Sequence, residues 1–360
     1  MKIKLAVLFG GQSNEHLVSC MSVTSVLQNL ADEFDVYMVG ITKEGKWFHY
    51  CDEVSLIEND KWLESEKKEE IMFSTDPQHH GFYNFAKGTY DSVDVVFPML
   101  HGRNGEDGTI QGLCQLANIP CVSCDLTSCA IAMDKEFTHI IAESYGVPMA
   151  KYKVYRKDSH PYFRVMYKEV EEELGIPCYV KPSKEGSSFG AHKINNYDDF
   201  AKFVNDAFTY DDKILLEEFI SGTEVGCGVM GEDECGYIYE VVVETEMYGY
   251  AEKYDGFKTH IYVPAINLNE EQIDEVYKLS KTVYKALGCN VMGRADFFAS
   301  TDGRIVFNEI NLIPGFTSHS LFPATFKAKG VNYTELLTSL INLSLKGTPL
   351  DPSLKEEKGE

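Results

Sequence analysis

The chain has 360 residues and a formal net charge of −23. That length supports two or three domains with a substantial core. The charge excludes general affinity for nucleic acid or for an anionic membrane surface, although small anions could still bind where Lys and Arg cluster. No apolar run approaches the roughly 20 residues of a membrane-spanning helix.

In chain order, residues 3–9 predict a first strand. Its basic, apolar start runs into Gly10-Gly11 and not into a small-residue cleavage site, so it reads as a strand and not as a signal peptide. Residues 17–30 predict a helix and 36–41 a second strand. The polar stretch 45–92, with Lys67-Lys68-Glu69-Glu70 and His79-His80, reads as an elaboration of the same domain. A third strand over 93–97 runs out through Pro98-Met99-Leu100 to His101. Strands alternating with helices imply a parallel sheet covered on both faces. A helix over 128–145 carries Met133-Asp134-Lys135 and stops at Gly146-Val147-Pro148. Short antiparallel strands follow at 179–181, 191–194 and 213–220, then a helix at 269–287 and a last amphipathic helix at 332–345. The charged end, Lys355 to Glu360, predicts a frayed tail.

Ten cysteines are scattered along the chain. Cys121-Val122-Ser123-Cys124 is a lone C-x-x-C with no second pair at zinc spacing. Reduced core thiols of a cytoplasmic protein are the expectation.

Several loops could carry chemistry. Gly10-Gly11-Gln12-Ser13-Asn14-Glu15 follows the first strand but lacks the third glycine of a dinucleotide fingerprint, which disfavours an oxidoreductase. His101-Gly102-Arg103-Asn104-Gly105-Glu106-Asp107-Gly108 follows a buried strand, where open parallel sheets bind ligands; a plain polar turn is the alternative. Lys181 to Gly190 lies between two strands. It is either an ordinary hairpin turn or a flap whose backbone N–H groups, with Lys181, wrap phosphates. Glu217-Glu218-Phe219-Ile220 and Glu224 follow an apolar strand. They are either an acidic turn or a nucleotide site that uses the backbone of 218–220 for adenine and a carboxylate for ribose.

The most informative segment is Gly293 to Asn311. Two β-rich flanks surround Ser300-Thr301-Asp302-Gly303, a hairpin signal. Side chains alternate faces along a strand, so Arg294 and Asp296 share a face, as do Glu309 and Asn311. A four-residue turn pairs 299 with 304 and 296 with 307, leaving Asp296 diagonal to Glu309. Oxygen ligands without Cys or His indicate a hard cation such as Mg²⁺. A solvent-facing polar side of an edge hairpin is the competing reading.

Together these residues resemble the D-alanine–D-alanine ligase family of ATP-grasp enzymes. The resemblance runs through Phe9 to Glu15 with Val18-Ser19, His101 to Gly108, Met133-Asp134-Lys135, Lys181 to Gly190 and Glu217 to Glu224. It continues through Tyr250 to Tyr254, Arg294-Ala295-Asp296, Asn308 to Asn311 and Pro314 to Ser320. It implies an α/β fold, α+β in the ATP-grasp part. An N-terminal domain over 1–124 would precede ATP-grasp domains over 125–220 and 221–348 and a tail over 349–360. It implies an ATP-dependent ligase joining two D-alanines through an acyl phosphate for peptidoglycan precursors, in a cytoplasmic homodimer.

By resemblance, Asp296, Glu309 and Asn311 hold two Mg²⁺ ions, with Mn²⁺ as a substitute. Lys135 and Lys181 neutralise phosphates, Glu217 and Glu224 serve the ribose and nearby nucleotide contacts, and Glu218, Phe219 and Ile220 take adenine. Arg294 and the Gly315 N–H stabilise the tetrahedral oxyanion. Glu15 anchors the first ammonium, and Ser187 and Tyr254 link it to a lid formed with Tyr248, Tyr250 and Lys253. His101 lies near the substrates, Lys253 and Ser320 take the second carboxylate, and Leu321 is a specificity position. Leu312 stands where the family usually has Thr, and the 45–92 region is longer than in compact members. Around 36–50 and 245–290 the chain also looks similar to D-alanine–D-serine ligases of vancomycin-resistance type, so D-serine is an alternative second substrate. A nucleotide-binding regulatory relative without turnover is the alternative outside the enzyme class.

Overall fold

A computed structural model describes residues 2–243, 259–317 and 319–346. Three sheets follow one another along the chain. The first is built from β1 (Ile3–Gly10), α1 (His16–Asn29), β2 (Phe34–Ile41), β3 (Trp47–Tyr50), β4 (Lys68–Phe73), β5 (Gly81–Asn84), β6 (Thr89–Ser92), β7 (Val95–Pro98) and α2 (Thr109–Leu116). Its strand order is β6-β5-β4-β3-β2-β1-β7. Only β2, β1 and β7 are parallel; β2 to β6 pair antiparallel. The polar 45–92 stretch therefore extends the sheet, and the sheet is mixed. A buried Trp62 explains why that stretch packs: its ring lies where a Cβ on Gly40 would be, 2.5 Å away, and meets Phe9 edge-on at 5.1 Å.

The second unit contains α3 (Leu126–Met133), α4 (Lys135–Ser144), β8 (Tyr152–Arg156), α5 (Phe163–Glu173), β9 (Cys178–Pro182), β10 (His192–Ile194), α6 (Tyr197–Tyr210) and β11 (Lys213–Glu218). Its antiparallel sheet runs β10-β9-β11-β8. The third contains β12 (Gly222–Met230), β13 (Glu234–Cys235), β14 (Tyr239–Val243), β15 (Thr259–Tyr262), α7 (Glu270–Ala286), β16 (Met292–Ser300), β17 (Ile305–Asn311), α8 (Leu321–Ala328) and α9 (Tyr333–Lys346). Its strands run β15-β14-β12-β16-β17, with β13 on β12. The chain then returns to its start. Phe316, Phe322, Phe326 and Leu336 to Ile341 join one core with Leu5, Val7, Phe9 and Phe97 of the first sheet. This covers the second face of β1 and explains its unbroken apolar sequence. Among the described residues, all ten cysteines are free thiols, and no helix is long and apolar enough to cross a membrane.

The helix expected over 128–145 is two helices. Asp134 breaks them with extended backbone at φ −91° and ψ 102°. Its buried carboxylate accepts from Lys213 Nζ at 2.6 and 2.7 Å and from Ser183 Oγ at 2.8 Å. Helix propensity differs by only tenths of a kcal/mol per residue, so a buried, hydrogen-bonded ion pair decides the local conformation. The break also starts α4 at Lys135, whose backbone N–H donates to Ser183 O at 3.0 Å. Asp134→Asn should cost about 1–3 kcal/mol, because Lys213 then keeps only Glu136 as a charged partner. Urea denaturation checks this; unchanged stability would show that the pair does not hold the break.

Candidate active site

The β16–β17 hairpin differs from its expected register. Ala299 faces Ile305, and the ladder slips between Asp296 and Phe297. Asn308 is the extra residue of this β-bulge, a device common beside active sites. Asp296 consequently stands directly opposite Glu309, not diagonal to it, and Arg294 stands opposite Asn311. Phe297 and Phe307 still pair and remain buried on the apolar face. Packing of that face and clustering of the acidic face are both satisfied only because the bulge resets the register between them.

Asp296 is 1 % exposed. Arg294 Nε donates to it at 2.9 and 3.1 Å and Nη2 at 2.7 Å. Tyr239 OH donates at 2.6 Å and Asn311 Nδ2 at 3.0 Å. Burial pushes its carboxyl up and Arg294 opposes this. At Glu309 burial acts the same way, but Lys135, Lys181 and Arg294 together outweigh it and hold that carboxyl below its ordinary value. Lys135 Nζ lies 3.8 Å from Glu309 and donates to Glu185 O at 2.7 Å. Lys181 Nζ lies 2.6 Å from Glu217 and donates to Asn308 Oδ1 at 2.9 Å, so the bulge residue holds this lysine toward the cleft. Glu217 Oε1 has no hydrogen bond and faces His139 Nε2 at 3.6 Å. Glu224, on β12, is pushed up to about 6 by burial and Asp296.

A cleft beside these groups is lined by Lys135, Glu185, Gly186, Asn308, Glu309 and Asn311, with Glu106 from the first unit. Its far wall comes from the first unit. Ser187 Oγ donates to Glu15, a buried carboxylate. Ser187 and Ser188 have φ of +47° and +59°, so the 181–190 segment bends tightly over Glu15. His101 is also buried and does not offer a ring nitrogen to the cleft. Its Nδ1 donates to Ile313 O at 3.1 Å, which requires that Nε2 accept from Ser22 Oγ at 2.9 Å. Burial lowers its pKa from the ordinary 6.5 to about 4.

Gly315 lies beneath Ser320, whose Oγ would be 2.8 Å from a Cβ at that position. Ser320 Oγ accepts from Thr317 N at 2.9 Å, and Leu321 opens α8. Glu218 points away from the cleft, accepting from Lys151 N at 3.1 Å, while its own N–H donates to Lys151 O at 2.9 Å. The Glu218 N–H is thus already used within the fold. Tyr248, Tyr250, Lys253 and Tyr254 lie outside the described residues.

Four residues were missed as site components: Tyr239, His139, Asn308 and Glu106. Asn308 and Glu106 stand inside runs that the sequence singles out, but the bulge and a long-range contact give them their roles. Glu106 accepts Gly102 N–H at 2.8 Å and Ile313 N–H at 3.1 Å. Burial and Glu15 nevertheless push its carboxyl up to about 8.

Two family models, described as D-ala D-ala ligase N-terminus and C-terminus, match residues 4–124 and 141–342. The chain belongs to the D-alanine–D-alanine ligase family. It is 41 % identical over 352 residues to a D-alanine–D-alanine ligase of Thermoanaerobacter sp., covering 96 % of this chain and 97 % of that one. The corresponding ligase of Acetivibrio thermocellus is 38 % identical, with 96 % of each chain covered. Among solved structures, the VanG D-Ala:D-Ser ligase of Enterococcus faecalis is 38 % identical with a TM-score of 0.86, covering 96 % of this chain and all of that one. The D-alanine–D-alanine ligase of Coxiella burnetii is 26 % identical with a TM-score of 0.85, covering 99 % and 98 %.

His101 supplies a pH prediction. Its folded pKa is depressed, so the unfolded chain binds the extra proton first, and stability falls as pH drops from about 6.5 to about 4. The contribution is on the order of 3 kcal/mol. Wild type should lose more stability between pH 7 and 5 in urea than His101→Gln does; parallel losses would reject a buried neutral imidazole.

Proposed function

We infer that this chain is an ATP-dependent ligase that joins two D-alanines, through an acyl phosphate, to D-alanyl-D-alanine for peptidoglycan precursors. The observation that carries the chemistry is the cross-strand pair of Asp296 and Glu309 beside Asn311, with Arg294 on Asp296, Lys135 near Glu309 and Lys181 on the neighbouring Glu217. Phosphoryl transfer depends on positioning and charge neutralisation, and this cleft concentrates both kinds of charge.

The donor set fits Mg²⁺: two carboxylates and an amide, all oxygen, with no thiolate or imidazole. Asp296, Glu309 and the Asn311 carbonyl oxygen would hold the ions. Bound Mg²⁺ supplies charge neutralisation across the phosphates, and Mn²⁺ would substitute. Glu15 receives the ammonium of the first D-alanine. Burial raises that carboxyl, so an arriving cation favours its charged form. Lys135 and Lys181 exchange Glu309 and Glu217 for phosphate oxygens. Glu217 and Glu224 serve the ribose and nearby nucleotide contacts, and Phe219–Ile220 the adenine. Arg294 and the Gly315 N–H face the tetrahedral oxyanion, which calls for fixed donors. Lys253 and Ser320 receive the second carboxylate, and Tyr254 with Ser187 closes the site against water, which would hydrolyse an acyl phosphate. We place the enzyme in the cytoplasm as a homodimer; its free thiols and the exposed Leu17, Val18 and Met21 on α1 support this reading.

Glu309→Gln strips charge from the metal clamp and should lower turnover at least about 10²-fold with little change in thermal stability. ADP release with ATP, Mg²⁺ and D-alanine, with the dipeptide identified by mass, measures it; near-normal turnover would reject the metal assignment. Leu321 donates no hydrogen bond, so a hydroxymethyl group beside it loses a water partner at a cost of roughly 1–3 kcal/mol. D-Alanine should outcompete D-serine at the second position, and Leu321→Arg should shift products toward D-alanyl-D-serine. A wild-type enzyme that makes more D-alanyl-D-serine at equal concentrations overturns this specificity.

A further inference from the structure

The loop after β7 touches both Glu15 and the segment that leads to Gly315. Gly102 has φ +68°, and a Cβ there would lie 2.4 Å from Glu15 Oε2 and 2.9 Å from Ser13 Oγ. Its backbone is therefore pressed against the carboxylate that receives the first substrate. At the other end, the same loop grips both backbone polar groups of Ile313. Glu106 Oε1 accepts the Ile313 N–H at 3.1 Å, and His101 Nδ1 donates to the Ile313 carbonyl at 3.1 Å. The second oxygen of Glu106 accepts Gly102 N–H at 2.8 Å, which closes the loop onto itself. Partners 207 and 212 residues apart in sequence meet at this one residue. Ile313 precedes Gly315 by two residues, too few for slack between the grip and the oxyanion donor.

We propose that Glu106 is a positioning residue that sets the separation between the ammonium pocket at Glu15 and the oxyanion donor at Gly315. The proposal rests on the roles given to Glu15 and Gly315 above. Glu106 lines the cleft, but the hydrogen bonds its two oxygens accept run to the Gly102 and Ile313 backbone, so it acts through the Ile313 segment. A carboxylate suits this task because each of its oxygens accepts an N–H, and the Gly102 and Ile313 N–H groups favour that form against burial, whereas an amide accepts with only one atom. Displacing a reacting group by about 1 Å can cost on the order of 10²-fold in rate. Glu106→Gln, which turns an NH₂ toward one of the two N–H groups, should therefore act on the tetrahedral state and not on nucleotide binding.

The experiment compares wild type, Glu106→Gln and His101→Gln, the last loosening the same residue from its carbonyl side. Turnover, KM for ATP, affinity for ADP and affinity for a phosphinate analogue of the tetrahedral adduct are measured on each full-length chain. Glu106→Gln should lose roughly 10- to 100-fold in kcat and a similar factor in phosphinate affinity, with ADP affinity and KM for ATP within about twofold of wild type. His101→Gln should show the same split to a smaller extent, and the double variant should lose less than the product of the two. Wild-type kcat and phosphinate affinity in a folded Glu106→Gln overturn the proposal. So does a parallel loss of ADP affinity, which marks a general structural tie. Should Glu106→Gln not fold, the split in His101→Gln decides. A wild-type chain that neither forms the dipeptide nor binds the phosphinate would instead sink the functional reading, so the two failures are distinguishable.

Discussion

Everything in this cleft depends on keeping like charges together out of water. Asp296, Glu309, Glu217 and Glu224 gather in a chain that is already strongly acidic overall. Isolated buried carboxylates neutralise by taking up protons, which would spoil them as cation ligands. Arg294, Lys135 and Lys181 oppose that tendency. These pairings resemble a resting state of the site more than permanent structural bonds. The 2.6 Å Lys181–Glu217 pair and the 3.8 Å Lys135–Glu309 pair hold cations beside the acidic groups. Preorganisation of this kind spares reorganisation at the moment of reaction.

The cations come from places that differ in rigidity. Arg294 is part of a continuous strand, with three hydrogen bonds to Asp296. Lys135 is fixed by the helix break at Asp134, itself tied to Lys213 and Ser183. Lys181 lies within β9, opposite Leu215 of β11, a few residues before the tight bend that carries Ser187 to Glu15. Arg294 and Lys181 are thus held by strand backbone, and Lys135 by a helix start. Closure of the first unit on the third is likewise built in: α8 and α9 complete the core over β1, and the 101–106 loop reads the backbone of Ile313.

Much of this was legible without coordinates. Alternation along β16 and β17 places Arg294 with Asp296 and Glu309 with Asn311. The ordered motifs from Gly10 to Ser320 carry the family, and the apolar run of β1 requires cover on both faces. Local chemistry determines these features: side-chain alternation, turn propensity and the donor atoms each residue owns.

Tertiary structure decided the rest, wherever a distant partner outweighs a local preference. The 128–145 helix breaks because Lys213 waits for Asp134. The 45–92 stretch forms strands because Trp62 needs a place against Gly40 and Phe9. The hairpin bulges at Asn308 so that Phe297 can pair with Phe307 while Asp296 faces Glu309. Glu106 sits in a loop that reads as a ligand site or a plain polar turn, yet its partner Ile313 lies 207 residues away. Periodicity reports which face a residue shares with its neighbours; it carries no information about which remote backbone will use that face.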